Sequence, residues 1–439
     1  MVKTVVIGAG AMGLAAAHYA LNLGHEVDLV EADAVPGGMA AHFDFGGLSI
    51  ERFYHFVCKP DAPTFALMAE LGIADKMRWR PTSMAYFAGG ALHKWGDPIS
   101  LLTTSLLNPL EKLRYGLQMF LTTRRRSFDD LETVSAKNWI ENGSGKGVYD
   151  KLWRRLMELK FYQYADNVSA AWIATRVRRV GKSRQSLFQE ELGYIEGGSR
   201  TLVDALVRSI ESRGGRVHLS TPAEKVDVEN GKLRGVTAGG RFFSADAVIS
   251  TIPTPLVSRL VPDLDEASKA AYDAIRNIGV ICVVHKLKRP VSPHFWINIM
   301  DPGIGIPGLI EFSNLRPIDG TIVYTPYYMP IDNPKWAMSD AALMDESFNY
   351  LKMVNPELTD ADRIDSSLGR LRYAQPLCEP GFAAKIPRVR TPIEGLFVAD
   401  TSFYYPEDRG VSEGARLARE MAMAIGTDHQ IRREPIFDP

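Results

Sequence analysis

Cysteine is scarce. Cys58, Cys282 and Cys378 are the only three in 439 residues, they lie far apart, and no CxxC or Cys/His cluster accompanies them. That excludes a disulfide-stapled secreted scaffold and leaves no spacing for a metal site, so a reducing cytoplasm is the expected location and no metal is expected. No uninterrupted apolar run reaches the ~18 residues of a spanning helix. Lys3 is the sole early positive charge, and Gly8, Gly10 and Gly13 break the stretch where a signal-peptide core would be continuous, so no export signal is expected. An excess of one charge is also missing. The 51 Lys+Arg and 52 Asp+Glu leave a net −1, and nothing global draws the chain to nucleic acid. What remains is an ordinary globular composition, 46% hydrophobic and 23% charged, at a length that predicts two or three domains.

The first forty residues carry the strongest local signal. Lys3 to Ile7 reads as a buried strand and leads into Gly8-Ala9-Gly10-Ala11-Met12-Gly13; an Ala- and Leu-rich helix follows to Leu23, stopped by Gly24. Glu26 to Val30 is a second strand, closed by Glu31. This order supplies the context that a bare GxGxxG lacks. Gly8 permits the tight turn, Gly10 lets backbone approach a pyrophosphate, and Gly13 lets helix and strand pack closely. The helix start, with Ala11 and Met12, offers N–H donors and the positive end of the helix dipole. Glu31 is placed to accept from ribose hydroxyls, and its charge disfavours a 2′-phosphate.

Beyond Glu31 and Ala32 lies a second glycine pair, Gly37-Gly38, where another close approach to a ligand needs residues without side chains. This pairing resembles the superfamily of flavin amine oxidases, protoporphyrinogen oxidases and phytoene desaturases. The family commonly has Arg after the pair, where this chain has Met39. The segment Gly395 to Asp400, followed by Gly410-Val411-Ser412-Glu413-Gly414 opening a helix, is similar to the C-terminal flavin motif of the same family. The resemblance implies that Asp400 bonds the ribityl or pyrophosphate region, and that Gly410 and Val411 present the helix N-terminus to the flavin C2 carbonyl. A middle block from Tyr194 to Ser250 also resembles the family, with Ala223 passing the adenine along its backbone. The cofactor so implied is FAD, and no flanking pattern marks an attachment residue, so noncovalent binding is expected. Gly410 to Gly414 also spells a GxSxG nucleophile elbow, but that motif needs a strand running straight into the serine, and Tyr404 to Arg409 is turn-like.

The fold expected is α/β: a Rossmann-like FAD-binding domain of glutathione-reductase type (1–56, 194–261 and 371–427), a discontinuous α+β substrate or cap domain (57–193 and 262–370), and a tail over 428–439. Residues 57–193 read as mainly helical. Tyr54, His55 and Arg409 are the candidate catalytic residues near the flavin, and Tyr404 and Tyr405 the candidate pocket walls. No lysine is placed beside the flavin. The expected reaction is hydride transfer from an organic substrate, an amine, alcohol or C–C bond, to flavin N5. The alternatives are a sugar isomerase like UDP-galactopyranose mutase, which needs paired arginines for a diphosphate, and a non-catalytic binding protein like the GDP-dissociation inhibitors. The cap is basic: 151–184 holds nine Lys/Arg against Glu158 and Asp166, and 112–126 holds five without an acid. That surface suits a small or lipid-like substrate, an anionic one included, or peripheral contact with a membrane.

Overall fold

The computed structural model describes residues 1–431, so the expected tail lies outside the described residues from 432 onward. Five short strands form a parallel sheet in the order Arg216–His218, Glu26–Val30, Lys3–Ile7, Ala247–Ser250, Leu396–Val398. Val5, Val6, Leu29, Val248, Ile249 and Phe397 are buried, as a parallel sheet covered on both faces requires. Helix Ala11–Asn22 follows the first strand. Its run Leu14 to Ala17 has no exposed surface, and the small side chains let it pack against helices Val411–Met423 and Ser199–Ser212. The sequence's two ends and its middle are thereby brought to one sheet. An antiparallel meander, Ala223–Glu229, Lys232–Ala238 and Arg241–Ser244, turns at Asn230-Gly231, where both residues have positive φ.

A second, seven-stranded sheet runs in the order Arg363–Pro376, Asn277–Leu287, Thr321–Pro330, Gly308–Glu311, Trp296–Ile299, Met84–Ala88, Ala91–Trp95. All its pairings are antiparallel except Trp296–Ile299 with Met84–Ala88. Two of these strands, and three more at Met77–Thr82, Arg184–Ser186 and Gln189–Ile195, come from the stretch that reads as mainly helical. Runs of three to seven residues show too few repeats to declare a period of two, and Met84–Ala88 finds its parallel partner only some two hundred residues later. Within the same stretch a π-helical turn at Tyr149–Trp153 leads into helix Arg154–Phe161.

Candidate active site

Residues of both sheets line one cavity of about 880 Å³. At one end lie Gly8, Gly10, Ala11 and Met12 of the first turn, Glu31 and Ala32 at the second strand's end, Gly37 to Met39, and Ala223. Asp400, Gly410 and Val411 arrive from the far end of the chain, and Tyr54, His55 and Arg409 line the same space. Gly13 is the one candidate cofactor residue that does not line it. A Cβ there would sit 1.9 Å from the Gly8 carbonyl oxygen, so its glycine serves the contact between helix and turn.

Each polar candidate has definite partners. Glu31 accepts from the Ala9 N–H at 2.6 Å and the Asp33 N–H at 2.8 Å, which fixes its carboxylate at the mouth of the glycine turn. Asp400 accepts from the Thr254 N–H (2.7 Å) and hydroxyl (2.9 Å), and from the Ser402 N–H (2.8 Å) and hydroxyl. Burial raises its pKa against the pull of those donors. Arg409 does not pair with Glu407 or Asp408, the neighbours the sequence offers. It donates to the Ala374 carbonyl and, at 3.0 Å, to the Tyr328 hydroxyl, while Glu407 binds Arg178 and Asp408 binds Arg176. His55 has no partner for Nδ1, and burial lowers its pKa to about 4, so it is neutral at physiological pH. Tyr404 lines the cavity, whereas Tyr405 turns away to Ser169 and Glu132. Ser412 lies in the first turn of helix Val411–Met423, preceded by the 3-10 turn Thr401–Tyr404 and not by a strand, so the hydrolase elbow is not formed.

The opposite wall comes from residues that sequence reasoning missed. Three neighbouring strands present alternate side chains to the cavity: Val280 and Cys282, Pro326 and Tyr328, Leu371 and Tyr373. Their register puts Val280 beside both Tyr328 and Leu371, and Cys282 beside Pro326. Trp296 and Phe56 meet edge to face at 6.5 Å, and Trp296 and Tyr54 at 5.5 Å. Period-two alternation is the signal for such a wall, but Ile278 to Val284 is apolar on both faces and hides it. Helix Ala170–Lys182 adds Arg176 and Arg179; Arg179 grips Asp61 through Nε at 2.8 Å and Nη2 at 2.6 Å. Lys160 hangs over the Tyr328 ring, Nζ 4.6 Å from its centroid. Burial, then Arg176 and Arg409, push the Lys160 pKa well down. Burial opposes the charge of Asp408, yet Arg176, Lys160 and Arg409 outweigh it and hold that carboxylate below its usual range.

The profile of a protein family described as flavin containing amine oxidoreductase matches residues 13–421. The chain belongs to that family. It is similar to the 15-cis-phytoene desaturase of Solanum lycopersicum, at 22% identity over 98% of this chain and 78% of that protein. Among solved structures, an oxidoreductase from Methanosarcina mazei superposes with a TM-score of 0.75 at 20% identity, covering 96% of this chain and 99% of the other. Reduced UDP-galactopyranose mutase superposes with a TM-score of 0.72 at 16% identity, covering 96% of each chain. The protein is accordingly an FAD-dependent oxidoreductase, of the mixed α/β fold that the family shares.

The cavity's own glycines agree with a cofactor of that size. Gly10 (φ −66) and Gly410 (φ −165) hold backbone angles open to any residue, and an added Cβ would meet nothing closer than 4.0 Å at either. No neighbour in the protein demands glycine there. Both positions face the cavity, where a missing side chain makes room for a bound group.

Proposed function

We propose that FAD lies noncovalently along this cavity as in a Rossmann-like site, and that the enzyme oxidises an apolar substrate, neutral or anionic, not a cationic amine. Ala223 and Glu31 serve the adenosine end, and Gly8 to Met12 with the start of helix Ala11–Asn22 the diphosphate. Gly37 to Met39, Asp400, Gly410 and Val411 serve the ribityl and ring end. The segments 1–56, 194–261 and 371–427 then form the cofactor unit, and 57–193 with 262–370 the substrate unit, the strand Arg363–Pro376 passing from one into the other.

A flavin held by these residues would supply the hydride acceptor for a substrate C–H bond. The chain's residues supply the rest. Tyr54, Phe56, Trp296 and Tyr328 exclude water and stack against an apolar substrate. Tyr54 keeps its proton, because burial lifts its pKa well above the usual phenol range, and its hydroxyl meets that of Tyr328. Arg409 holds the Tyr328 hydroxyl in place. No dedicated base is needed for such a transfer, and neutral His55 is the one imidazole among the cavity's lining residues.

One observation carries the substrate class: Arg176 and Arg409 share the single carboxylate of Asp408 on the cavity wall, so one positive charge is left over even with Lys160, whose pKa is pushed well down, in its neutral form. A protonated amine entering there meets a surplus of positive charge in a poorly solvated space. The mutase reading needs arginines free for a diphosphate, and Arg176 and Arg179 are each already paired with an aspartate. Anaerobic mixing of the flavin-loaded enzyme with polyprenyl compounds, amines and nucleotide sugars tests the proposal. Bleaching by the polyprenyl class and none by ammonium-bearing amines is expected. Bleaching by amines, or nucleotide-sugar turnover without net electron transfer, overturns it.

A further inference from the structure

Helix Pro109–Arg124 is built inside out. Its inward side is polar: the Gln118 amide donates to the Trp139 carbonyl at 2.9 Å and accepts from the Ser144 hydroxyl, and Glu111 meets Lys151 at 2.7 Å. Its outward side carries Leu110, Leu113, Leu117, Phe120 and Leu121, between 46% and 69% exposed. Steps of three, four, three and one residues keep all five on one face. A helix of a water-soluble surface turns such a stripe toward the core. This one turns it away.

The patch continues onto its neighbours. Ile99 and Leu102 belong to helix Pro98–Thr103, which packs on the same helix, and Phe188, at the turn beside Leu187, lines one shallow hollow with Ile99. Nine of the sixteen exposed large apolar side chains among the described residues lie in this one region, far from a random scatter.

Charge decides what covers it. Lys112, Arg114, Arg124 and Arg126 border the patch, and none pairs with a carboxylate among the described residues; Lys112 and Arg114 donate to backbone carbonyls and Arg124 stacks on Phe120. A second copy of the chain would press these cations against one another. An anionic bilayer neutralises them while burying the leucines. Among the described residues no helix is long and apolar enough to cross a membrane, which leaves an in-plane contact. We propose that the outward face of helix Pro109–Arg124, extended by helix Pro98–Thr103 and the Leu187-Phe188 turn, docks on the anionic surface of a lipid bilayer. The inward face of the same helix packs on Ala170–Lys182, which carries Arg176 and Arg179 on the cavity wall, so the docked surface lies one helix away from the active site.

Flotation of the full, flavin-loaded chain tests this, with vesicles of phosphatidylcholine alone and of phosphatidylcholine mixed with phosphatidylglycerol. The protein is expected to float with the mixed vesicles and far less with the neutral ones. The double variant L113S/L117S is expected to lose about tenfold or more in partitioning. K112E/R124E should lose the preference for anionic lipid, with flavin absorbance and melting temperature unchanged in both variants. Absence of flotation with mixed vesicles, or flotation untouched by L113S/L117S, overturns the proposal. So does a dimer in solution that L113S/L117S converts to monomer, since a second copy then covers the face. Flavin content is read separately, so the outcome does not depend on the substrate reading.

Discussion

The hydroxyls of Tyr54 and Tyr328 meet at 3.3 Å across 274 residues of sequence. Arg409, from a third remote segment, donates to the same Tyr328 oxygen at 3.0 Å. A single polar seam thus runs through an otherwise largely apolar wall, and its middle member has the most to lose from substitution.

Tyr328→Phe removes one oxygen from that seam and leaves Arg409 with only the Ala374 carbonyl. A hydrogen bond to a charged group contributes about 1.5–3 kcal/mol, so kcat/KM is expected to fall by about ten- to a hundredfold. Flavin content should not change, because the lost contact lies in the substrate wall. Steady-state kinetics with flavin absorbance on the same samples separates the two effects.

Gly10 and Gly13 should fail in opposite ways. At Gly10 an added side chain meets open cavity, so Gly10→Val is expected to fold, to melt close to the flavin-free form of the unaltered protein, and to purify colourless. At Gly13 even a methyl group collides with the Gly8 carbonyl, and Gly13→Ala should cost about 3 kcal/mol or more of stability. A yellow Gly10→Val protein would refute the cofactor placement.

Asp61→Asn strips Arg179 of its carboxylate in a position where both side chains are largely buried. Asp61 also accepts from the Cys58 N–H at 2.9 Å, so the loop before helix Ala62–Glu70 loosens with it. A loss of about 3–5 kcal/mol is expected in urea denaturation, the usual consequence of leaving one buried charge without its partner.

His285 is fully buried between the hydroxyls of Ser366 and Ser347, each 2.7 Å away. Burial, then the nearby Arg363, lowers its pKa from 6.5 to about 3. The unfolded chain therefore binds a proton between those limits that the native state refuses. The stability that follows is complete above pH 6.5 and is lost as pH falls toward 3. Against His285→Asn, the native protein's advantage should shrink by up to ~1.4 kcal/mol per pH unit across that window and stay flat above it. Denaturation midpoints measured from pH 4 to 8 decide the matter; parallel curves would reject it.

The glycine-rich turn was legible because its spacing, flanking strands and acid are all local. The signals for the Asn230-Gly231 turn and for helix Pro109–Arg124, which Asn108 caps by accepting from the Glu111 N–H at 2.9 Å, are local in the same way. Arg409 was legible as a residue near the reaction but not in its partners, because Tyr328 and Ala374 reach it only through the second sheet. Lys160 and Tyr328 escaped notice entirely. Each sits in a stretch whose composition speaks of a basic helix or a buried strand, and only tertiary pairing sets the lysine Nζ over the ring. The inverted helix escaped too: an amphipathic stripe in sequence does not say which side faces in.

The parallel sheet takes Lys3–Ile7 from the beginning of the chain and Leu396–Val398 from near its end, with Asp400 and Gly410 just beyond. During translation the ribosome must therefore extrude some four hundred residues before the yellow ligand has a complete binding groove. Until then the nascent polypeptide carries Gly10 and Glu31 with nothing opposite them, and the ligand's binding energy cannot help to hold the half-made enzyme together.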